Sequence, residues 1–353
     1  MQEYLRTWHE RGSPWDLWVE KYEDARRQFA ELIGAAPQEV ALVASASAGV
    51  DALASALSFH DRRKVVLGEF EFPTMGHIWL AQRPRGAEVL FAEAAGNRLR
   101  VQAYDRLIDR HTLIVPLTHM CFMNGFRTPV ADIVQIAHDR GAMVLLDDYQ
   151  DCGTRPINVK DLGVDAYVSG TLKYLLGPPG LAFLYVRDSW AETLTPTVTG
   201  WFGQRNPFAF EVKLFDPAPG ARRFESGTPT IPTIYGASAG VKLLQDIGLN
   251  VVAEQIRVLT EALVNGVSGL GVQIKTPPDS VGPLVVLRTQ HAEELVSLFG
   301  KQGVICSCRH DGLRISFHAY NTLEDVTLVL ELIKRNMALF PVPAAASHAG
   351  AES

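Results

Sequence analysis

The first residue of chemical interest is Lys173, which follows the run Ser169-Gly-Thr-Leu and precedes a turn rich in glycine and proline. A short apolar run leads into this lysine, so we expect it near a strand end, where open α/β sheets bind their ligands. The hydroxyl groups of Ser169 and Thr171 are placed to hold an anion beside it. The ordinary alternative is a solvated loop lysine, which is the commoner case for any lysine taken alone.

Two acidic residues, Asp147 and Asp148, end an apolar run that is typical of a strand buried on both faces. Side chains alternate between the faces of a strand, so these two carboxylates point to opposite sides. A carboxylate at a strand end can ligate a metal, cap a helix or pair with a protonated pyridine nitrogen. That last pairing keeps the ring of pyridoxal phosphate cationic, ready to accept the electrons of a carbanion. Gln150 is placed to hydrogen-bond the ring oxygen.

Two further segments suit anions. Residues 45–49, Ser-Ala-Ser-Ala-Gly, open a predicted helix over 50–57, and the free N–H groups of a helix N-terminus bind phosphate. A serine N-cap is common and explains the same residues equally well. Arg314 lies in a strand-like run, and its planar guanidinium suits a carboxylate better than an ammonium would. A lone strand arginine is more often a surface residue.

Composition narrows the class of protein. The chain has 353 residues, of which 47% are hydrophobic, and its net charge is −6. These values exclude low-complexity disorder and disfavour binding to nucleic acid, which normally needs a basic surface. Four cysteines do not make a disulfide scaffold, no apolar run is long enough for a membrane span, and the polar N-terminus lacks a signal-peptide core. We expect a cytoplasmic protein with no membrane and no nucleic-acid partner. No histidine spacing indicates a metal site.

Short apolar runs alternate with amphipathic stretches over the first two thirds of the chain, which predicts a wide α/β sheet. The predicted strands are 40–43, 65–67, 88–91, 113–117, 143–147, 166–169 and 181–186. Residues 10–33 have a helical pattern as well. Because the runs are rich in Val, Ile and Leu, we expect a mostly parallel sheet of seven strands.

The pattern changes near residue 235. Helical stretches over 235–249, 251–270, 292–302 and 322–336 then alternate with strand-like runs at 272–275, 284–287, 304–308 and 313–317. We therefore divide the chain into an N-terminal segment (1–20), a large ligand-binding domain (21–234), a small α+β domain (235–340) and a disordered tail (341–353). The stretch 195–232 is too long for a simple connection and is expected to be functional.

The order of these motifs along the chain resembles that found in one family of enzymes. The specific core is Asp-x-x-Gln at Asp147 to Gln150, followed 23 residues later by the lysine of Ser-Gly-Thr-Leu-Lys173. It is similar to the fold-type I pyridoxal 5'-phosphate enzymes of the class V aminotransferase group, which includes cysteine desulfurases, selenocysteine lyases, isopenicillin-epimerase-like proteins and kynureninases. The resemblance covers roughly residues 10–338. It implies a large domain with a seven-stranded, mostly parallel sheet and a small α+β C-terminal domain.

The resemblance implies roles for residues in the large domain. Lys173 forms the internal aldimine (a Schiff base with the cofactor), Asp147 pairs with the pyridine nitrogen and Gln150 contacts the ring hydroxyl. Phe72 stacks on the ring, although a core phenylalanine is the alternative reading. The remaining cofactor contacts are assigned to the phosphate-binding turn at Ala46 and Ser47 and to the hydroxyl residues Ser169 and Thr171.

It also implies a homodimer and a substrate site. Trp201 and Thr228 match segments that reach the phosphate of a neighbouring subunit, and Arg314 matches the arginine that clamps a substrate carboxylate. Asn124 stands near the place of a family asparagine, which is itself replaced by Cys121 or Phe122. His77 and His119 can line the pocket as acid or base, and a structural role is equally consistent for each.

We therefore expect an aminotransferase-type enzyme acting on the α-amino group of an amino acid, with a C–S or C–Se lyase or an epimerase as the alternative. Desulfurases carry a histidine directly before the lysine, where this chain has Leu172, and a nucleophilic cysteine on a mobile loop. Here Cys306 and Cys308 lie in a short strand-like run and are expected to be buried and structural. A catalytically inactive relative is disfavoured because Lys173 and Asp147 are both present. A nicotinamide dehydrogenase is disfavoured because the glycine fingerprint is missing.

Overall fold

The structure is a computed structural model that describes residues 1–341; the predicted tail from residue 342 to 353 lies outside the described residues. The chain forms two compact units. The first comprises residues 1–121 and 128–250, and the second comprises residues 122–127 together with the chain from residue 251.

The first unit contains a seven-stranded sheet and nine α-helices among its described residues. Its strands are β1 (Val40–Val43), β2 (Lys64–Gly68), β3 (Glu88–Ala92), β4 (Thr112–Thr118), β5 (Met143–Asp147), β6 (Ala166–Gly170) and β7 (Ala182–Val186). Its helices are α1 (Gln2–Arg11), α2 (Trp15–Leu32), α3 (Ala46–Ser55), α4 (Pro73–Leu80), α5 (Val101–Asp105), α6 (Val130–Asp139), α7 (Val159–Leu162), α8 (Asp188–Ala191) and α9 (Ile231–Ile247).

The strand order is β1-β7-β6-β5-β4-β2-β3. The pairs β2–β3, β2–β4, β4–β5 and β5–β6 are parallel, whereas β7 pairs antiparallel with both β6 and β1. Six strands therefore run in one direction and β7 alone runs against them. The predicted α/β class, seven strands and mostly parallel sheet are confirmed. Strands β5, β6 and β7 are buried almost throughout, which explains their continuous apolar sequence.

The N-terminal helical pattern is divided into two helices. The sequence predicts one stretch over residues 10–33, but α1 ends at Arg11 and α2 begins at Trp15. Gly12 between them adopts φ +67°, a left-handed conformation that favours glycine, and Pro14 directly precedes α2. Helix α2 packs against α9, where the Gln245 side chain donates to the Gln28 carbonyl at 3.3 Å. This packing places α9 in the first unit, although the sequence pattern changes near its start.

The second unit is a small α+β layer, as predicted. It contains α10 (Leu249–Gly269, whose first two residues belong to the first unit), α11 (Ala292–Gly300), α12 (Leu323–Arg335), β8 (Leu284–Arg288), β9 (Ser307–Arg309) and β10 (Gly312–Ser316). The strands form an antiparallel sheet in the order β8-β10-β9. Among the described residues, no helix is both long enough and apolar enough to cross a membrane.

Two predicted strands of this unit differ from the structure. Residues 272–275 form only an isolated bridge, between Ile274 and Leu287, because the Thr276 side chain accepts the Val286 N–H at 2.9 Å in place of a backbone carbonyl. The run 304–308 becomes a strand only from Ser307 onward.

Candidate active site

The site lies at one edge of the large sheet. Since β1, β2, β4, β5 and β6 run in the same direction, the segments that follow their carboxyl ends emerge at the same edge. These segments carry Ser47, Phe72, His119, Asp147 and Lys173. The topology therefore brings together residues that lie as far as 126 positions apart in the chain.

The Lys173 side chain is half-buried, and its amine lies between two aromatic rings. Its Nζ is 4.6 Å from the centroid of the Tyr149 ring and 5.9 Å from the centroid of the Phe72 ring. Phe72 is 43% exposed, so it is not a core residue. Its place is fixed by the start of α4, where Pro73 occupies the first helical position.

Asp147 is buried at the end of β5, and its Oδ1 accepts the Tyr149 N–H at 3.0 Å. Burial raises the pKa of Asp147 to about 6, while the Tyr149 N–H and the positive charge of Lys173 act to lower it. A cation placed against this carboxylate would favour its charged form. The protonated nitrogen of a pyridine ring is a group of that kind.

A second buried acid, Glu71, lies beside this site and was missed by the sequence reasoning. Its Oε1 accepts the N–H of Thr118 at 2.8 Å, and Thr118 is the register partner of Asp147 in the sheet. Burial raises the pKa of Glu71 well above its usual value, and the charge of Asp147 raises it further. Both effects favour the protonated form of Glu71.

Asp148 belongs to a separate buried cluster. Its two carboxylate oxygens contact His119 Nδ1 at 2.8 Å and the Tyr167 hydroxyl at 2.7 Å. Arg155 donates to His119 Nε2 at 2.8 Å and to Asp151 at 2.8 Å. Because arginine is only a donor, His119 Nε2 accepts this hydrogen bond and Nδ1 donates to Asp148. His119, Asp148 and Asp151 are close enough to ligate a metal, but the Arg155 guanidinium already supplies the cation there.

The N-terminus of α3 is a candidate anion-binding site. Ser45 is the N-cap, and its hydroxyl accepts the Ala48 N–H at 3.1 Å, so it is occupied in capping. The N–H groups of Ala46 and Ser47 are in the first turn, where helices leave donors without an intrahelical partner. The Ser47 hydroxyl lies 3.1 Å from that of Thr74 in α4. Thr74 therefore lies at the same candidate anion-binding site, a role that the sequence analysis did not assign to it.

Four other predicted residues lie around the same edge. Gln150 and Ser169 are buried, and His77 is exposed on α4. Thr171 is fully buried, and its hydroxyl contacts the carbonyls of Pro178 at 2.6 Å and Leu181 at 3.1 Å. Its proton is therefore used to close the turn that carries Lys173, which leaves the oxygen only as an acceptor.

The segments of Trp201 and Thr228 lie side by side in the first unit. The Phe202 N–H donates to the Ser226 carbonyl at 2.8 Å. Trp201 is half-buried and donates its indole N–H to the Pro207 carbonyl at 2.5 Å, whereas Thr228 is exposed. The rings of Trp15, Phe208 and Phe210 surround Trp201.

Arg314 and Asn124 belong to the second unit. Arg314 is half-buried in β10, the middle strand, opposite Val286 of β8 and Ser307 of β9. Asn124 is buried, and its side-chain oxygen accepts the Phe126 N–H at 2.9 Å. That contact uses the carbonyl end of its amide to hold the turn.

The expectation that Cys306 and Cys308 are buried is wrong, since both are half-buried and Cys306 lies outside β9. Burial raises the pKa of the Cys306 thiol to about 11, and Cys308 adds to the effect. Cys306 is therefore a protonated thiol near pH 7, and so a weak nucleophile.

Comparison with known proteins gives one consistent picture. Residues 6–329 match the family model described as Aminotransferase class-V. The chain is 33% identical over 334 residues to the Bacillus subtilis protein named Uncharacterized aminotransferase YcbU, covering 94% of this chain and 88% of that one. It is 28% identical to a kynureninase of Deinococcus radiodurans, over 89% and 77% of the two chains. A solved cystine C–S lyase bound to cysteine persulfide has a TM-score of 0.86, with 21% identity over 96% of this chain and 93% of that one.

The pKa of Asp147 gives a prediction for the cofactor-free chain. An acid whose pKa is raised from 3.8 to about 6 binds its proton more tightly in the folded state. Folding stability therefore falls by up to about 3 kcal/mol as the pH rises from about 4 to above 6. Asp147→Asn should remove this loss, so we expect the variant to be more stable than the wild type near pH 7.5 and equally stable near pH 4.

Urea unfolding at the two pH values measures the difference. The matched control is Asp51→Asn, which changes an exposed aspartate of α3 and should show no such pH dependence. A gain of equal size at both pH values would contradict the burial of a charged Asp147.

Proposed function

The chain belongs to the class V aminotransferase family, and we propose that within it the protein is an aminotransferase-type enzyme acting on the α-amino group of an amino acid. It is an enzyme whose cofactor is pyridoxal 5'-phosphate. The observation that carries the proposal is the lysine amine at the sheet edge, between two aromatic rings and near a buried carboxylate.

The residues at the sheet edge fit this cofactor. Asp147 is a buried acid whose charged form needs a cation, Phe72 offers an exposed ring face, and the α3 N-terminus offers donors to a phosphate. When bound, the cofactor supplies an aldehyde that joins to amines and a ring that accepts the electrons released at Cα.

Lys173 supplies the amine that holds the cofactor in place. Once a substrate amine has taken its position, the free Lys173 amine is the base that moves a proton at Cα. Asp147 keeps the ring nitrogen protonated.

The other residues hold the cofactor in position. In this proposal Phe72 stacks on the ring and Gln150 hydrogen-bonds the ring oxygen. The phosphate is held by the N–H groups and hydroxyls around the sheet edge, contributed by Ala46, Ser47, Ser169 and Thr74. Ser47 and Thr74 are best supported among these, because their hydroxyls already face each other at 3.1 Å. The predicted contact from Thr171 is not kept, because its hydroxyl proton is bonded within the turn that carries Lys173.

In the second unit, Arg314 is proposed to bind the carboxylate of the substrate, since a guanidinium makes two parallel hydrogen bonds to it. Asn124 and His77 are proposed as further substrate contacts. The Asn124 side chain is held in place by the hydrogen bond that its oxygen accepts from the Phe126 N–H. His77 is exposed on α4, where its imidazole is open to a ligand.

We propose that the enzyme is a homodimer in which Trp201 and Thr228 approach the phosphate of the partner subunit. An exposed apolar segment next to Trp201 supports this: Phe210 is 69% exposed, Val212 94% and Leu214 61%. A cleft of about 640 Å³ lies against this segment. Exposed apolar patches of this kind often mark interfaces.

The central experiment locates the cofactor and identifies the reaction. Borohydride treatment of the loaded enzyme should leave the cofactor covalently attached to the peptide containing Lys173, as read by mass spectrometry. A label on another lysine would overturn the assignment. A panel of amino acids, assayed for keto acid, for pyruvate with sulfide and for loss of chirality, should give keto acid. Sulfide or racemised product would establish the lyase or epimerase alternative instead.

The proposed role of Arg314 predicts which substrates depend on it. Arg314→Ala should raise KM for amino acids by roughly two to three decades, since losing a charge-assisted pair costs on the order of 2–5 kcal/mol. Arg314→Lys should recover only part, because an ammonium cannot make both hydrogen bonds. Amines without a carboxylate are the control and should not respond. If they respond as amino acids do, Arg314 is structural.

The dimer is tested by charging the apolar segment. Val212→Asp should shift the protein toward monomer in sedimentation equilibrium and increase loss of cofactor, because a site shared across an interface is stabilised by assembly. Val251→Asp makes the same change at a 60% exposed valine of α10 and should leave the assembly intact. Monomer with full cofactor retention, in either the wild type or the variant, would refute the shared site.

A further inference from the structure

Tyr149 is the nearer of the two rings that face the Lys173 amine. The distance from Nζ to its ring centroid is 4.6 Å, against 5.9 Å for Phe72. A cation within about 6 Å of an aromatic face is attracted to it, and the attraction grows when water is excluded. The half-buried tyrosine therefore makes the stronger contact with the charged amine.

Several contacts fix the Tyr149 ring in this position. Its backbone N–H donates to Asp147 at 3.0 Å. The ring also lies directly over Gly170, where a Cβ atom would come within 2.3 Å of ring atoms. Only glycine at position 170 leaves room for the ring, so β6 and the strand end of β5 together place it.

The aromatic ring of Tyr149 and a carboxylate act differently on a charged amine beside them. A carboxylate attracts an ammonium strongly and accepts a hydrogen bond from it, whereas an aromatic face stabilises the charge without taking a proton. The charged and titratable groups near the lysine are Asp147, whose charge and that of Lys173 attract each other, Asp148, which contacts His119 and Tyr167, the buried Glu71, and the exposed His77 of α4.

We propose that Tyr149 is a positioning residue that receives the amine of Lys173 whenever this amine is not joined to the cofactor. The inference rests on the proposed role of Lys173. It gives the free amine a defined place over the Tyr149 ring, beside Asp147, from which it can return to the reacting carbon. The ring thus stabilises the charged form of the amine without accepting a proton from it.

The experiment measures the Lys173 amine itself in the full chain after removal of the cofactor, with rebinding of pyridoxal phosphate as proof that the chain stays native. Reductive methylation with formaldehyde and cyanoborohydride is run over a series of pH values, and the peptide containing Lys173 is quantified by mass spectrometry. Loss of an aromatic face disfavours the charged amine. Tyr149→Leu should therefore lower the midpoint of the Lys173 profile by about one pH unit.

Three comparisons make the result specific. Tyr149→Phe keeps the ring and should leave the midpoint almost unchanged, and Phe72→Leu should lower it less than Tyr149→Leu does, because that ring is farther away. Lys242, which is exposed in α9 and paired with Asp246, is the internal control in every sample. No change in Tyr149→Leu, or equal changes in the Leu and Phe variants, would overturn the proposal.

The two hypotheses fail in different ways. If borohydride attaches the cofactor to Lys173 but the midpoint does not respond to Tyr149→Leu, only the role of Tyr149 is lost. If the cofactor labels another lysine, the proposed function fails and the role of Tyr149 falls with it, whatever the methylation profile shows.

Discussion

The burial of one carboxylate at a strand end is the constraint on which the first unit depends. Asp147 sits where water is excluded, and the cost of charging it there raises its pKa to about 6. A buried charge with too few partners destabilises the fold, so the charged form of Asp147 lowers the free energy of unfolding. In return, the same dry surroundings strengthen the attraction between Asp147 and any cation placed beside it. The parallel sheet makes this possible by bringing several strand ends to one edge.

Asp148, the neighbouring acid, is buried as well, but its charge has partners. Asp148 faces the other way and has both carboxylate oxygens bonded, to His119 and to Tyr167. The Arg155 guanidinium then holds His119 from its far side. A buried network whose groups are satisfied rigidifies the structure around it. The end of β5 is therefore anchored through Asp148, which leaves Asp147 free to serve a ligand without also holding the strand.

Much of this arrangement could be predicted from the sequence. Apolar runs predict all seven strands of the large sheet, and Asp147 and Lys173 are recognised because one ends such a run and the other lies just beyond the next. Tyr149 was missed, since its contact with the lysine depends on the turn after β5 and on the missing side chain at Gly170. Glu71 was missed because its partner Thr118 is 47 positions away, on another strand. Contacts of this kind are set by the packing of the sheet and leave no local pattern.

The groups around the lysine also bear on the type of chemistry. Sulfur transfer needs a thiolate that can attack, but burial raises the pKa of Cys306 to about 11, so its thiol stays protonated near pH 7. The residue before Lys173 is Leu172, which is 52% exposed and offers no proton. Groups at the sheet edge that can hold or move a proton include Lys173, Asp147, Glu71 and the imidazoles of His77 and His119. These observations support our proposal of chemistry at the α-carbon and its amino group, as in transamination, over a relay through sulfur.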